Sequence, residues 1–531
     1  MIVDRYGHPF LREPQGFGQC AECAAFGHFH CFIIDDNLHA FFFIPGKVRE
    51  KIADKQYLLA IFTAVIKKLN SMKKRMDHCK CWILACLASL AIHMSAEEPV
   101  LTVSGGKIQG VPTETAGVLI YKGIPFAAPP VGDLRWKAPQ PVIPWMGVLK
   151  ADKFGPASIQ PDRVDSPTPD GQINYYKEFY AEGDPVRSED CLYLNVWTPA
   201  SGQLDAKLPV AVWIHGGAFS GGYGYEKEFD GEAYAKRGVI LVTINYRLGL
   251  LGFISHPALS QENPQKVSGN YGLLDQLAAL EWVRQNIRQF GGDPENITLF
   301  GQSAGAMSVR CLSASPLTKG KFQRAIIQSG GGLEAIDPTE SLAAAEQVGV
   351  EIFGNRTAEE LRALTLEEMQ ALHGDWMKKQ KGWRLMQPIL DGYVLTEGFG
   401  EATKAGRLPE RSYMLGGTEN DMEIFKTGQS YGDFSLERVK HGTKPAYIYH
   451  FARALPGDNC GAFHSSELWF VFGTWKRCWR PFTEADGRLS ETMLDYWTNF
   501  MRSGDPNGKG LAPWTPYTKQ TPEIHRFDIE K

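Results

Sequence analysis

A serine in a glycine-flanked pentapeptide is the strongest candidate for chemistry in this chain. Residues 301–305 read GQSAG, which fits the pattern G-x-S-x-G. The apolar segment Ile297–Phe300 before it is typical of a buried strand, and Ala304–Leu312 after it favours a helix. Nucleophilic serines stand on such strand-to-helix turns, where side chains in place of the glycines would clash. The pattern therefore predicts Ser303 as a nucleophile, with a helix N-terminus beside the charge that develops in the reaction.

A second glycine turn could support the same reaction. Residues 215–219 read HGGAF and follow the predicted strand Pro209–Ile214. Small residues let backbone amides approach a carbonyl oxygen, and an HGGG-type turn supplies such amides in esterases. The predicted oxyanion-hole donors are the amides of Gly217, Ala218 and Ala304.

Segments typical of strands alternate with segments typical of helices from Val100 onward. Several strands are apolar on both faces, which indicates a sheet covered by helices. The alternation predicts an α/β domain with a mostly parallel central sheet flanked by helices. The predicted strands are Leu192–Trp197, Pro209–Ile214, Val239–Ile244, Ile297–Phe300, Ala325–Gln328, Ser412–Leu415 and Tyr447–Phe451. The predicted helices are Leu273–Arg288, Ala304–Leu312, Ala358–Leu372 with a capping box at Thr357 and Glu360, and Leu489–Arg502 ended by Gly504.

Two long motifs resemble signatures of the type-B carboxylesterase/lipase family. FGGDPENITLFGQSAG at residues 290–305 resembles the serine signature, and EDCLYLNVWTP at residues 189–199 resembles the second signature. The shorter segments NYR at 245–247, PILDG at 388–392 and GDPNG at 504–508 are also similar. The resemblance implies a bacterial-type secreted carboxylesterase with an α/β-hydrolase fold and a small N-terminal β-hairpin region. It also implies hydrolysis of carboxylic esters.

The resemblance suggests a base, which follows the acid along the chain in this fold. Residues 461–468 read GAFHSSEL and resemble the catalytic-histidine segment of the family, so His464 is the expected base. His450 lies near the end of a predicted strand, and we expect it to be structural. His215 precedes the oxyanion glycines, and we expect it to order that turn.

The acid of the triad is expected in the segment GGTENDM at residues 416–422. The family usually carries a glutamate there, in a G-x-x-x-D-E-G pattern, and Asp421 falls in register with it. An aspartate can orient an imidazole and stabilise its charged form equally well. Glu419 and Glu423 are the rival candidates.

Two departures from the family pattern bear on substrate preference. Gln302 stands where cholinesterases carry a glutamate, which argues against choline esters. His464 follows Asp421 more closely in the chain than is usual in the family. We therefore expect a segment that covers the site in relatives to be shorter, leaving the site more open to bulky substrates.

Architectural features also follow from the resemblance and the composition. The resemblance implies ion pairs of Arg135 with Glu189 and of Arg247 with Asp275. Four cysteines lie after residue 97, and we expect mostly free, buried thiols among them. These are Cys191, Cys311, Cys460 and Cys478.

The composition is that of a globular protein. The chain has 531 residues, of which 43% are hydrophobic and 22% charged, which excludes disordered and fibrous classes. It lacks a run of 18 apolar residues, so stable membrane insertion is not expected. A formal net charge of −4 gives no reason to expect a nucleic-acid partner. We expect a small-molecule or polysaccharide-linked ester as substrate, and neither a metal nor an organic cofactor.

The segment MKKRMDHCKCWILACLASLAIHMSA at residues 72–96 has the layout of a secretory signal peptide. Basic residues precede an apolar run of eleven, Trp82 to Ile92, and Ser95-Ala96 offer a cleavage site. The predicted divisions are a non-native or disordered extension at 1–71, a signal peptide at 72–96 and a hydrolase domain at 97–531. The protein would then be secreted or periplasmic. A zinc-like cysteine and histidine string at 20–31 has too short a central loop, and we interpret it as chance.

Three functions are compatible with these patterns. The favoured one is a serine carboxylesterase that works through an acyl-enzyme intermediate, because Ser303, Asp421 and His464 are all present. A non-catalytic binding or adhesion protein on the same fold is the second. The third is an esterase specialised for acetyl or feruloyl groups on plant polysaccharide. The acyl and alcohol preferences and the oligomeric state are left open.

Overall fold

The computed structural model describes residues 98–168, 173–180, 183–334, 337–380, 386–422 and 428–529, together with three short strands near the N-terminus. The chain divides into two compact units, Met1–Glu97 and Glu98–Lys531. In the first unit, the strands Gly18–Gln19, His30–Ile33 and Ala40–Phe43 form an antiparallel sheet. The expected signal peptide at 72–96 and the side chains of the zinc-like string lie outside the described residues.

A ten-stranded sheet forms the centre of the second unit. Its strands, numbered along the chain, are β1 Val111–Pro112, β2 Leu119–Pro125, β3 Tyr193–Thr198, β4 Leu208–Ile214, β5 Ile240–Ile244, β6 Gly292–Gln302, β7 Arg324–Gln328, β8 Ser412–Thr418, β9 Tyr447–Phe451 and β10 His525–Phe527. The spatial order is β10-β9-β8-β7-β6-β4-β5-β3-β2-β1. Strands β4 to β10 pair in parallel with one another, whereas β1, β2 and β3 pair antiparallel. The mostly parallel sheet predicted from the sequence is confirmed.

Helices cover both faces of this sheet. In the described part of the second unit they are α1 Glu232–Lys236, α2 Gly249–Phe253, α3 Pro257–Glu262, α4 Tyr271–Asn286, α5 Ala304–Ala314, α6 Leu342–Phe353, α7 Ala358–Ala363, α8 Leu366–Lys379, α9 Phe399–Lys404, α10 Gly428–Lys440, α11 Leu468–Val471 and α12 Glu484–Ser503. Short 3₁₀ turns span Gly132–Leu134, Ile287–Phe290, Pro316–Thr318 and Trp475–Arg477, and a π-helical turn spans Tyr176–Tyr180. None of the helices in the described ranges is both long enough and apolar enough to cross a membrane.

Strand β4 shows why the strand sequences read as apolar on both faces. Val212 and Ile214 point into a core shared with α4 and α5, whereas Trp213 packs into a second core with α11 and α12. All three side chains are buried. Because helices pack on both faces, neither the odd nor the even positions of the strand reach water.

One predicted helix is wrong in its extent. The segment Ala358–Leu372 forms two helices, α7 ending at Ala363 and α8 beginning at Leu366. The predicted capping box of Thr357 with Glu360 is confirmed. A second capping box, of Thr365 with Glu368, places Thr365 in an extended conformation with ψ 163°, and this conformation interrupts the helix.

Smaller strands flank the main sheet. Val100–Val103 and Gly106–Gln109 form an antiparallel hairpin, and Val148–Lys150 adds to it in parallel. This hairpin matches the small β-hairpin region expected at the N-terminus of the domain. Ala157–Ser158 and Arg187–Ser188 form a separate two-stranded pair.

Both expected ion pairs are confirmed. Arg135 binds Glu189 through two hydrogen bonds of 2.5 and 2.7 Å and also donates to the backbone carbonyl groups of Arg362 in α7 and Leu364 just after it. Arg247 binds Asp275 at 2.7 and 2.8 Å with both side chains buried. The four cysteines match the expected pattern of mostly buried thiols, because Cys478 alone among them is half-buried.

Candidate active site

Ser303 lies on the turn between the last residue of β6 and the first residue of α5. Its φ of 57° and ψ of −127° are costly for a residue with a side chain and must be held by the surroundings. The Ser303 amide donates to the carbonyl of Gln328 at the end of β7, at 2.9 Å. The strained turn places the serine side chain at the carboxyl edge of the parallel strands.

Both glycines of the pentapeptide are required because neighbouring backbone atoms lie too close to leave room for a side chain. A Cβ atom on Gly305 would lie 2.0 Å from the carbonyl oxygen of Ile214 on β4. A Cβ atom on Gly301 would lie 2.6 Å from the backbone of Gly305 itself. The steric reason for glycine on both sides of the serine, predicted from the pentapeptide, is confirmed.

The glycine turn after β4 packs directly against this serine. A Cβ atom on Gly216 would lie 3.1 Å from the Cβ atom of Ser303. Three successive residues then take positive φ angles, which are 100° at Gly217, 54° at Ala218 and 57° at Phe219. The left-handed run turns the chain back sharply beside the serine.

Backbone amides in the glycine turn and at the start of α5 lack an acceptor within the described residues. They include the amides of Gly217 and Ala218 in the glycine turn and of Ala304, the first residue of α5. Helix N-termini leave amides unsatisfied, and an anionic oxygen is a favourable partner for them. The amides of Gly217, Ala218 and Ala304 are those that the sequence singled out as oxyanion donors.

His215 stabilises the glycine turn through its ring and its backbone carbonyl group. Its ring stacks on Tyr246 at a centroid distance of 4.4 Å, and the Tyr246 hydroxyl donates to the His215 carbonyl at 2.9 Å. Burial lowers the pKa of His215 to about 3, so the ring is neutral at ordinary pH. Its Nδ1 atom lies 2.8 Å from the Gly216 carbonyl, to which it donates.

Gln160 clamps the far end of the same turn. Its side-chain amide donates to the Gly222 carbonyl at 3.1 Å, and its side-chain oxygen accepts from the Gly222 amide at 2.9 Å. Gly222 has a φ of 105°, and a Cβ atom there would lie 2.4 Å from His215 Nδ1. The turn is therefore fixed at both ends by buried polar side chains.

Asp421 and His464 form a hydrogen-bonded pair. The distance from His464 Nδ1 to Asp421 Oδ1 is 2.5 Å, and both side chains are almost fully buried. Asp421 lies three residues beyond the end of β8, and His464 lies between β9 and α11. The structure thus brings together two side chains that are 43 positions apart in the chain.

The environment keeps the Asp421 carboxyl ionised. Burial alone would raise its pKa, but the attraction of the protonated form of His464 and the hydrogen bonds to the carboxylate outweigh burial and lower the pKa below its ordinary value. The carboxylate accepts from His464, from the Ser329 hydroxyl at 2.6 Å, and from the backbone amides of Met422 at 2.8 Å and Thr418 at 3.2 Å. An ionised carboxylate can only accept, so the proton of this pair resides on His464 Nδ1.

The rival residues occupy other places. Glu419 forms an ion pair with Arg526 at 3.1 Å, and both side chains are about half exposed. Glu423 lies outside the described residues. His450 lies on β9, where burial lowers its pKa, and it does not take part in the hydrogen bond between Asp421 and His464.

A short backbone contact joins the segments that carry the pair. The Asn420 amide donates to the Ala462 carbonyl at 2.9 Å, and the Ala462 amide donates to the Asn420 side chain at 2.9 Å. Gly461 leaves room for this contact, since a Cβ atom there would lie 2.2 Å from Asn420 Oδ1. Because Asn420 and Asp421 are neighbours, this contact sets the distance of the carboxylate from His464.

The segment 173–180 lies against the histidine. The Tyr175 hydroxyl donates to the His464 carbonyl at 3.2 Å. Glu178, buried in the π-helical turn, accepts hydrogen bonds that anchor the segment to the chain after His464. The donors are Trp469 at 2.9 Å, Trp479 at 2.9 Å and Arg480 at 3.0 Å.

Comparison with known proteins assigns the chain to a family. Residues 97–434 and 431–531 match the family model described as the Carboxylesterase family. The chain belongs to the carboxylesterase family. This membership confirms the resemblance seen in the two signatures, and carboxylesterases are carboxylic ester hydrolases. The expectation of an ester-hydrolysing enzyme is therefore confirmed.

Individual carboxylesterases are similar over different shares of the chain. Fumonisin B1 esterase of Sphingopyxis macrogoltabida is 40% identical over 348 residues, which are 64% of this chain and 60% of that protein. Para-nitrobenzyl esterase of Bacillus subtilis is 35% identical over 81% of this chain and 95% of its own length. A solved para-nitrobenzyl esterase structure aligns with a TM-score of 0.69 and 31% identity, covering 81% of this chain and 96% of that one. A Geobacillus stearothermophilus carboxylesterase structure, with a TM-score of 0.66, has the same identity and coverage.

Sequence reasoning missed several residues that hold this carboxylesterase site together. They are Gln160, Ser329, Asn420 and Glu178, whose contacts described above span between 42 and 302 positions along the chain. No local pattern marks a polar side chain whose partner is so distant. In the described ranges, no group of three histidine, cysteine or acidic side chains is arranged to hold a metal ion.

Proposed function

We propose that this carboxylesterase hydrolyses its substrate through an acyl-enzyme formed on Ser303, with His464 as base and Asp421 as acid. The observation that carries the proposal is the 2.5 Å hydrogen bond between His464 and an ionised Asp421. It leaves Nε2 as the basic atom of the imidazole, which is the atom a serine nucleophile needs. The strained serine turn and the amides without acceptors give further support.

In the acylation step, His464 Nε2 takes the proton of the Ser303 hydroxyl while the serine oxygen attacks the ester carbonyl. The carbonyl electron pair moves onto its oxygen, which the amides of Gly217, Ala218 and Ala304 stabilise. When the carbonyl re-forms, the bond to the alcohol oxygen breaks, and His464 gives its proton to that oxygen. An alcohol leaves, and an acyl group remains on Ser303.

Deacylation repeats these proton transfers with water. His464 removes a proton from a water molecule that attacks the acyl carbonyl, and the same amides receive the second oxyanion. Collapse breaks the bond to Ser303, whose oxygen takes the proton back from His464. Asp421 stays ionised and stabilises the imidazolium in both half-reactions. No oxidant, reductant or cofactor enters this balance.

We propose small-molecule esters as the substrates. Relatives are named for para-nitrobenzyl esters and for fumonisin B1, so the family reaches both compact and bulky esters. The comparisons lend no support to the binding-protein alternative or to a specialised polysaccharide esterase. A panel of p-nitrophenyl esters of increasing acyl length, beside an acetylated and a feruloylated polysaccharide, compares these substrate classes directly.

The nucleophile can be tested by covalent labelling. A serine-directed phosphonate should label the wild-type protein once, on the peptide containing Ser303, and the label should abolish hydrolysis of p-nitrophenyl acetate. Ser303→Ala should remain folded, take up no label and lose almost all activity. Ser308→Ala is the matched control, because it removes a hydroxyl from the helix that directly follows Ser303, one bonded to Gln276 at 3.0 Å. A label on another residue would contradict the assignment.

We further propose that residues 72–96 direct export. Expression in a Gram-negative host from Met72 should place active protein in the periplasm, with an N-terminus at Glu97 or nearby. Replacing Leu84 and Leu87 by arginine interrupts the apolar run and should keep the protein in the cytoplasm. Mature protein that retains residues before Met72, or cytoplasmic wild-type protein, would contradict this proposal.

A further inference from the structure

Gln302, the last residue of β6, contacts the side of His464 that faces away from Asp421. Its side-chain Nε2 atom lies 3.2 Å from His464 Nε2. Only 3% of the Gln302 residue is exposed, so water does not replace this contact freely. The imidazole is therefore held between a carboxylate at Nδ1 and an amide at Nε2.

The position of the ring proton fixes the direction of the hydrogen bond between Gln302 and His464 Nε2. Ionised Asp421 accepts from His464, so Nδ1 carries the ring proton and Nε2 of the neutral imidazole carries a lone pair. An amide NH₂ group can only donate, and it is therefore the matching partner of that lone pair. Once Nε2 is protonated, two donors face each other, and the contact becomes unfavourable.

The same lone pair is needed for catalysis. A ring nitrogen has a single lone pair in the plane of the imidazole, and the Ser303 hydroxyl must donate to it before its proton can be taken. Gln302 and Ser303 are adjacent in the chain, so two neighbouring side chains compete for one acceptor. We propose that Gln302 is a positioning residue that holds His464 in its neutral form between turnovers and releases Nε2 when Ser303 is deprotonated. This inference rests on the proposed function of the three residues.

The other polar and titratable groups near His464 define what a test must keep constant. Asp421 faces Nδ1 from the segment after β8, and the Tyr175 hydroxyl donates to the His464 carbonyl from the segment 173–180. Among the described residues, Glu467 is a third such group; it is fully buried three residues further along, and burial raises its pKa to about 7. Substitutions at Gln302 leave all three groups in place.

Two substitutions change the contact in different ways but should shift the protonation of His464 in the same direction. Gln302→Met keeps the length and bulk of the side chain but removes the donor, so the neutral imidazole loses a stabilising bond. Gln302→Glu places a carboxylate against Nε2, which stabilises the imidazolium. Both changes favour the protonated ring, so the ascending limb of kcat/KM against pH should move to higher pH. We expect a rise of roughly half to one pH unit for methionine and of roughly one to three for glutamate.

The positioning role and a purely structural role of Gln302 predict different pH profiles. If Gln302 positions His464, the curves of kcat/KM against pH for wild type and Gln302→Met should cross. Below the midpoint, Gln302→Met should be slower than wild type, because less of the base is neutral. Above the midpoint it should equal or exceed wild type, because Ser303 no longer competes with an amide for Nε2. A residue that only supports the fold would lower the rate by the same factor at every pH.

The experiment measures kcat/KM for p-nitrophenyl acetate between pH 5 and pH 9.5 for wild type, Gln302→Met and Gln302→Glu. The rate of Ser303 labelling by a phosphonate is followed in parallel, and thermal unfolding shows whether each variant is folded. If glutamate prevents folding, the methionine variant alone decides. Midpoints that rise in the order wild type, methionine, glutamate support the inference. Unchanged or lowered midpoints in folded variants that still label at Ser303 overturn it. Wild-type protein that does not label at Ser303 would instead refute the proposed function.

Discussion

The hydroxyl of Ser329 donates a 2.6 Å hydrogen bond to Oδ2 of Asp421, while Oδ1 of the same carboxylate accepts from His464. Ser329 directly follows β7, where a φ of 48° turns the chain and its amide donates to the Gly416 carbonyl on β8 at 2.7 Å. The carboxylate is therefore held from the sheet side as well as by the imidazole. Its orientation is set before a substrate binds.

Replacing Asp421 by asparagine should lower kcat by several orders of magnitude with little loss of stability. The shape is kept, but the imidazolium loses its charged partner and the imidazole tautomer is no longer fixed. The equivalent change in a serine protease costs about 10⁴-fold. Steady-state kinetics with p-nitrophenyl acetate and thermal unfolding measure the two quantities. Asp421→Glu should be partly active, since the longer glutamate side chain must fit a site that accommodates aspartate.

The control for this prediction is the neighbouring acid Glu419. Its exposed ion pair with Arg526 contributes at most about 1 kcal/mol, so Glu419→Gln should change kcat by less than about fivefold. Glu423→Gln should have a similarly small effect. An inactive Glu423→Gln beside an active Asp421→Asn would show that the acid lies two residues further along.

Removing the Ser329 hydroxyl should lower stability at neutral pH more than in acid. Asp421 has a lowered pKa in the folded state, so it contributes stability that is fully present above its ordinary value of 3.8 and is lost as the pH falls through the folded value. Ser329→Ala removes a donor to the ionised form and moves the folded pKa upward. We expect about 1.5–3 kcal/mol lower unfolding free energy at neutral pH, and this difference should shrink as the pH falls through the folded pKa of Asp421.

Denaturant unfolding at pH 3, 4, 5 and 7 measures the effect. Ser435→Ala is the matched control, because it removes a buried hydroxyl bonded at 2.6 Å to an uncharged partner, the Tyr517 carbonyl. Its stability loss should not depend on pH in this range. The prediction fails if both variants show the same pH dependence.

A methyl group on Gly305 should disrupt the serine turn. The added Cβ would lie 2.0 Å from the Ile214 carbonyl oxygen, so β4 and β6 must separate. Gly305→Ala should cost more than about 3 kcal/mol, the range of severe overpacking, or prevent folding. Gly374→Ala is the control, because that glycine lies within α8 with open space around it. It should stabilise the protein by about 0.5–1 kcal/mol. Equal effects of the two changes would contradict the steric explanation.

Loss of the Glu178 charge should loosen the segment 173–180. Glu178 is a buried partner of Arg480 and also accepts from two tryptophans, so Glu178→Gln leaves a buried guanidinium with less compensation. We expect about 3 kcal/mol of destabilisation, with faster proteolysis within this segment. Glu397→Gln, which breaks the exposed ion pair with Arg407, should have little effect on stability, because water screens that pair. Comparable losses in the two variants would refute the anchoring role.

Features that depend on neighbouring residues were predictable from the sequence. The serine turn, the glycine turn after β4 and the capping box at Thr357 arise from backbone sterics and hydrogen bonds within a few residues. The apolar strands were predictable for a related reason, since burial on both faces leaves no polar position in a segment such as 208–214. The split between α7 and α8 was missed, although Thr365 and Glu368 have the same capping-box spacing as Thr357 and Glu360 and so carried a local signal for it.

Contacts between distant segments were decided by the tertiary structure. Sheet order places the ends of β6, β7 and β8 side by side, and only this order brings Ser329 to Asp421 and Gln302 to His464. The family pattern offered three acids within five residues, and the contact with the histidine distinguishes Asp421 from Glu419. The physical reason is that a hydrogen bond depends on distances of a few tenths of an ångström. Residue type and spacing determine which side chains could react, whereas the packing of strands and loops determines which of them meet.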